Sequence, residues 1–212
     1  MEWIRIPLGP MQTNAYLLYS SNHQDCLIVD PGEEAGKVRQ FLEKKKVKPS
    51  AILLTHAHFD HIGAVDALRD HYQIPVYVHE NEKKWLADPS KNGSSFFQGI
   101  TPITAREPDQ VFTNEGSMKI GEWTFELLFT PGHSPGSVSF YFKEAGIVLA
   151  GDALFQGSIG RTDLRGGDHN LLLKSIHTKL LTLPEETYVL SGHGAVTTIG
   201  DEMNSNPFLN GF

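Results

Sequence analysis

Cysteine is almost missing. The 212-residue chain carries one, Cys26, so an intramolecular disulfide is impossible and a Cys-rich structural zinc site is disfavoured. Its place in the apolar run "CLIVD" reads as a buried, inert thiol. Long apolar runs are missing too: none approaches the ~20 residues that span a bilayer. Met1–Pro10 lacks the charged start and apolar stretch of an export signal. Positive charge is in deficit, with 18 Lys and Arg against 25 Asp and Glu, a net charge of −7 and a pI near 5.8. That balance argues against nonspecific binding to nucleic acid or anionic membrane. The one basic run, Lys44–Lys46 with Lys48, reads as the solvated end of a helix. No low-complexity tract appears. These absences predict a single cytoplasmic domain over residues 1–212, with no nucleic-acid or membrane partner.

The chain alternates short apolar strands with helical spacing. "AYLLY" and "CLIVDPG" predict two strands with a turn near Ser21–Asn22. Gly36–Lys46 has helical spacing through Val38, Phe41 and Leu42, and Pro49 breaks it. "AILLT" predicts a buried strand, Ile62–Tyr72 a helix, "PVYVH" a strand, and Glu80–Leu86 the start of another helix. Residues 88–108 read as a long loop carrying Phe96 and Phe97, either as a pocket wall or as core. "WTFELLFT", "VSFYF", "GIVLAGD" and "TYVLS" follow as strands. Asp168 is placed to cap a helix running to about Leu183, before Pro184. "NPFL" reads as a tail or a last turn. Strands in each half, separated by helices, suggest an α/β (α+β) fold of two mixed sheets packed face to face with helices outside.

What is abundant is histidine at strand ends. In "LLTHAHFDHIGA" three histidines and one aspartate fall within the six residues His56–His61. Later apolar runs end into His133, Asp152 and His193, each beside glycine. His56 and His58, two apart on an extended segment, face the same way, and a following turn swings Asp60 and His61 aside. Four donors so close in sequence do not comfortably surround one tetrahedral ion, so a split of two and two is easier. His133 and His193 then add one donor each, and Asp152 is able to bridge. Imidazole and carboxylate without thiolate suit Zn²⁺ foremost, or Fe²⁺ or Mn²⁺. Two such ions with a shared solvent molecule suit hydrolysis.

"THAHFDHIGA" resembles the signature of the metallo-β-lactamase superfamily, and "TPGHSPGS", "GDALF" and "SGHG" match its later motifs in order. Within it, "GSIGRTDLRGGD" and "TTIGDEMNSNPFL" resemble the short bacterial glyoxalase II-like (hydroxyacylglutathione hydrolase-like) metallohydrolases. The resemblance implies an αββα sandwich. It also implies a first metal on His56, His58 and His133, a second on Asp60, His61 and His193, and Asp152 between them. The implied activity is cleavage of an S-acyl thiol ester, such as S-lactoylglutathione or a related conjugate, by a metal-bridging hydroxide. Asp60 would accept the proton of the bound water. Longer glyoxalase II proteins carry a C-terminal helical domain that helps bind glutathione and a "GHEY" stretch. Here the chain ends at Phe212 and reads "SGHGAV", which leaves the thiol carrier open. An alternative relative is the persulfide dioxygenase, with one iron on residues matching His56, His133 and Asp152. The "NPFL" ending favours the hydrolase.

Other residues keep two readings. Asp30 in "VDPG" either orients a ligand histidine or is a turn aspartate. Arg161 either contacts an anionic substrate group or pairs with Asp163. His79 is expected in a buried hydrogen bond, and His23, His71, His169 and His177 in structural or surface roles.

Overall fold

The computed structural model describes residues 1–20, 24–99 and 101–209. The turn expected near Ser21–Asn22, and His23, lie outside the described residues. The chain forms two compact units, Met1–Thr113 with Ile120–Glu122, and Asn114–Lys119 with the segment from Trp123 onward. Each carries a six-stranded mixed sheet and its own helices, an α/β architecture.

The first unit holds β1 (Glu2–Leu8), β2 (Thr13–Ser20), β3 (Asp25–Val29), α1 (Ala35–Lys45), β4 (Lys48–Leu53), α2 (Phe59–Ile62), α3 (Val65–Tyr72), β5 (Val76–His79) and β6 (Gln110–Phe112). The strands lie in sequence order. β2 runs antiparallel to both its neighbours, β1 and β3, and β3, β4, β5 and β6 run parallel. Alternate side chains such as Leu17, Ile28, Ile52 and Val78 form one apolar cluster with Val38 and Leu42 of α1 and Val65 and Leu68 of α3. Cys26 is buried there, and burial pushes its thiol pKa up, so it is an inert packing group.

Three local expectations shift, each for a packing reason. Pro49 does not precede the strand but lies inside β4, opposite Cys26, where the β3–β4 register slips. A bulge spares the hydrogen bond that proline cannot make. α1 has already ended, at Lys46 in the left-handed region (φ 57°). The helix expected over Ile62–Tyr72 is two helices, because the Ala64 N–H donates to the Pro31 carbonyl (3.0 Å) rather than up its own turn. Asp60 and His61 therefore sit on α2. The helix expected from Glu80 is a single tight turn, Glu80–Glu82, drawn inward by the burial of Glu82, Trp85 and Leu86.

The second unit holds β7 (Gly116–Ile120), β8 (Trp123–Phe129), β9 (Val138–Phe142), β10 (Ile147–Gly151), β11 (Leu154–Phe155), β12 (Ser158–Ile159), α4 (His169–Ser175), β13 (Tyr188–Ser191), β14 (Thr197–Thr198) and α5 (Ile199–Ser205). Its large sheet runs β14-β13-β10-β9-β8-β7, and β11 and β12 form a separate hairpin. β10 and β13 are parallel. The Asp168 side chain accepts from Leu171 N (2.9 Å) and caps α4 as its position predicts, and a π turn continues to Leu180. Val148, Ala150, Leu172, Ile176, Val189 and Ile199 share the apolar cluster of this unit. Among the described residues no helix is long and apolar enough to cross a membrane.

Two predictions follow from this packing. A Cβ on Gly32 would lie 1.9 Å from the Asp60 carbonyl oxygen. Gly32→Ala must therefore displace the α2 backbone, and denaturant unfolding should show a loss of about 3 kcal/mol. His79, at the end of β5, accepts from Asn81 N through Nδ1 (3.1 Å), a role open only to the neutral ring. Burial holds its pKa below the ordinary value of 6.5. The unfolded chain therefore takes up this proton first. The stability from neutral His79 is complete above ~6.5 and is lost as pH falls through that value toward the folded-state pKa. NMR titration of the His79 ring should give a midpoint below ~6.5; a midpoint at or above it would remove this contribution.

Candidate metal centre

The first unit delivers its donors at the carboxyl ends of parallel strands, where open α/β sheets place their ligands. β3 ends at Asp30, whose φ of 49° lies in the left-handed region and turns the chain sharply. β4 runs through Leu54 and Thr55 into His56. The Asp30 carboxylate accepts from Thr55 N (2.8 Å) and from the Thr55 hydroxyl (2.6 Å). It also lies 3.1 Å from Nδ1 of His61. With its proton committed to Asp30, the Thr55 hydroxyl accepts from Nδ1 of His56 (3.1 Å). One buried carboxylate thus reaches two imidazoles: through Thr55 it fixes the tautomer of His56 and leaves that ring's Nε2 lone pair for a cation, and it stands beside His61 as a charged neighbour. The rings of His56 and His61 stand 4.1 Å apart, and those of His56 and His58 4.8 Å apart. The structure places Asp30 both in the turn after β3 and beside His61.

Asp60 opens toward the same cluster. Its Oδ2 accepts from the Thr13 hydroxyl (2.8 Å) and lies 3.6 Å from Nε2 of His61. His58 has its ring 6.0 Å from that of Trp85. Between His56 and His58, the Ala57 N–H donates to Oε2 of Glu82 (2.6 Å), a carboxylate with no solvent exposure.

The second unit holds His133, Asp152 and His193. His133 follows β8, Asp152 follows β10 and His193 follows β13. Nδ1 of His133 is 2.7 Å from the Arg161 carbonyl oxygen, which makes it the N–H donor and fixes the tautomer. Nε2 of His133 lies 3.6 Å, and Nε2 of His193 3.5 Å, from the same oxygen, Oδ2 of Asp152. A Cβ on Gly160 would lie 1.9 Å from the Asp152 carbonyl and 3.2 Å from His133 Cβ, so only glycine lets these segments approach. The Arg161 guanidinium forms a two-pronged pair with Asp163 (2.7 Å twice) and holds that carboxyl at about 2. Its backbone orients His133, while its side chain is committed to Asp163.

These separations fit metal donors better than hydrogen bonds. Imidazole–carboxylate hydrogen bonds fall near ~2.7–3.2 Å. Donor atoms at ~2.0–2.1 Å from one tetrahedral ion stand about 3.3–3.4 Å apart. The spacings of 3.5–3.6 Å around Asp60 and Asp152 lie close to the second figure. A single oxygen facing two imidazoles is the arrangement of a bridging carboxylate.

Thr13, Thr55, Glu82 and the Arg161 carbonyl are the participants that sequence reasoning missed. Thr55 alone had a local signal, as the small residue between strand and ligand. Three further histidines sit elsewhere: His71 lies in the last turn of α3 beside the Tyr72 ring, His169 begins α4, and His177 lies on the π turn. Phe97 packs on Phe59 (4.9 Å between ring centroids), whereas Phe96 is 69% exposed.

The profile of the Metallo-beta-lactamase superfamily matches residues 8–193. The chain is 58% identical over 212 residues to the probable metallo-hydrolase YqgX of Bacillus subtilis (strain 168), covering 100% of this chain and 99% of that one. It is 39% identical over 206 residues to the hydroxyacylglutathione hydrolase GloC of Haemophilus influenzae, covering 97% and 96%. Among solved structures, the BLEG-1 B3 metallo-beta-lactamase superposes with a TM-score of 0.96 at 58% identity, covering 99% of this chain and 100% of that one. TTHA1623, solved in a di-iron-bound form, superposes with a TM-score of 0.84 at 40% identity, covering 97% and 100%. With this match across both units and these His/Asp donors, the chain belongs to the metallo-beta-lactamase superfamily of metallo-hydrolases.

Proposed function

We propose that the protein hydrolyses a small S-acyl thiol ester of the hydroxyacylglutathione type at a dinuclear metal centre. His56, His58 and His133 would hold one divalent ion, and Asp60, His61 and His193 a second. Asp152 would lie between them. The observation that carries this reading is the common spacing of 3.5–3.6 Å between imidazole nitrogen and carboxylate oxygen in each unit's donor set. The likeness to GloC supports the substrate class, and the di-iron form of TTHA1623 supports two metal positions. Zn²⁺, Fe²⁺ and Mn²⁺ all suit the donors. A cytoplasmic setting fits the single buried thiol.

When bound, two divalent ions supply a hydroxide nucleophile near neutral pH and a Lewis acid for the acyl oxygen. The chain's own residues do the rest. Asp30, through Thr55, and the Arg161 carbonyl keep His56 and His133 in the tautomer that offers Nε2. The Thr13 hydroxyl orients Asp60, whose carboxylate would accept a proton from bound water. Asp152, facing both His133 and His193, keeps the two halves of its donor set at one oxygen.

The 58% identity to BLEG-1 favours a second acyl substrate, the strained amide of a β-lactam, attacked by the same nucleophile.

Protein purified without chelator should contain close to two equivalents of Zn, Fe or Mn by elemental analysis. A reproducible single iron, with O₂ uptake on a persulfide in place of thioester cleavage, would refute the hydrolase. Asp152→Ala should cut turnover of an S-acyl glutathione by more than about 100-fold, because loss of an outer hydrogen-bond partner alone costs roughly 10–100-fold. Near-normal turnover by that variant would exclude the shared carboxylate.

A further inference from the structure

The closing stretch "TTIGDEMNSNPFL" has no part in the chemistry above, yet it holds a buried carboxylate that accepts three hydrogen bonds. Glu202 on α5 is 1% exposed and Asn206 is fully buried. Oε1 of Glu202 accepts from the Thr197 hydroxyl (2.6 Å). Oε2 accepts from Gly157 N (2.9 Å) and from Nδ2 of Asn206 (2.7 Å). The same Asn206 amide donates to the Ser158 carbonyl (3.0 Å). These bonds end on β14, which follows His193, and on the tip of the β11–β12 hairpin. The hairpin begins just after Asp152 and leads into Arg161, whose carbonyl holds His133. Its base is tied in turn by the Ser191 hydroxyl to the Leu154 carbonyl (2.6 Å), and Ser191 ends the strand that delivers His193.

Packing alone does not call for this. α5 already docks through Ile199 in the apolar cluster. A buried carboxylate costs more than an apolar group unless every lone pair is met. Strands of two residues each cannot hold a hairpin's shape unaided. The carboxylate meets the hairpin at the backbone N–H of its tip, the point with most leverage over both of its ends.

We propose that Glu202 and Asn206 are positioning residues that clamp the β11–β12 hairpin and, through it, place Asp152, His133 and His193 for metal. The inference rests on the metal-centre reading above. The clamp touches neither metal nor substrate. It acts by holding the two chain segments on either side of the hairpin, so its loss should loosen metal before it unfolds the protein.

The test measures Zn²⁺ affinity of metal-free protein by competition with a chromophoric chelator, together with the metal-free melting temperature. Glu202→Ala should weaken Zn²⁺ binding at least about tenfold. Glu202→Gln should recover most of that loss, because its amide oxygen accepts from Gly157 and the Thr197 hydroxyl is able to turn and accept. Leu180→Ala, in the apolar cluster of the same unit, should lower the melting temperature and leave Zn²⁺ affinity unchanged. If Glu202→Ala does not fold, Asn206→Ala carries the test, since it cuts the Ser158 link and spares the carboxylate. Wild-type Zn²⁺ affinity in the folded clamp variants overturns the proposal. So does an equal loss of affinity in Leu180→Ala, which would make the effect one of stability alone. A wild-type protein that binds no Zn²⁺ overturns the metal-centre reading itself, and the two failures are thereby told apart.

Discussion

A neutral imidazole offers its lone pair to a cation only while its other nitrogen keeps the proton, and in the first unit Asp30 enforces that condition on His56. Its carboxylate takes the Thr55 N–H and hydroxyl and lies against Nδ1 of His61. The Thr55 hydroxyl is thereby turned to accept from His56. Remove this one charge and the His56 ring is free to flip tautomer, while His61 loses its charged neighbour. The left-handed backbone at Asp30 and the contact of Gly32 with the Asp60 carbonyl follow from the same need, to bring the end of β3 under the turn that carries Asp60 and His61.

The second unit meets the same condition with a different group. A backbone carbonyl, that of Arg161, holds His133, and the carboxylate present is the donor Asp152. What the units share is the use of buried carboxylates as clasps on backbone N–H groups. Asp30 takes Thr55, Glu82 takes Ala57 and Glu202 takes Gly157. Each clasped N–H lies in or beside a segment that carries a donor. Burying these charges is unfavourable unless every oxygen is met, so each clasp admits little variation in geometry. Rigidity of that kind is what a metal site needs, since its donors must be held before the ion arrives.

Strand polarity supplies the rest of the arrangement. Asp30 and His56 follow the ends of parallel β3 and β4, His79 ends β5, and Asp152 and His193 follow parallel β10 and β13. Parallel neighbours bring their carboxyl ends to one edge, so residues distant in sequence emerge side by side without long loops. Membership of the metallo-beta-lactamase superfamily is the consequence of that topology carrying these donors.

The sequence by itself determined the candidate donors. His56, His133, Asp152 and His193 each follow an apolar run and a small residue, and His58, Asp60 and His61 crowd behind the first of them, a local pattern that needs no knowledge of the fold. It also determined most strands and the Asp168 cap, because burial alternation and capping act over a few residues. Only the tertiary structure decided what orients those donors. Glu82 and Glu202 look like solvated glutamates in polar stretches, and their partners lie 25 and 45 residues away. Thr13 meets Asp60 across 47 residues. It also decided that the segment after His61 breaks at Gly63, since the Ala64 N–H is claimed by Pro31 from another strand's end. The physical reason is range: periodicity and capping are set by neighbours in the chain, whereas the cost of a buried charge is met by whichever donors the folded topology brings to it.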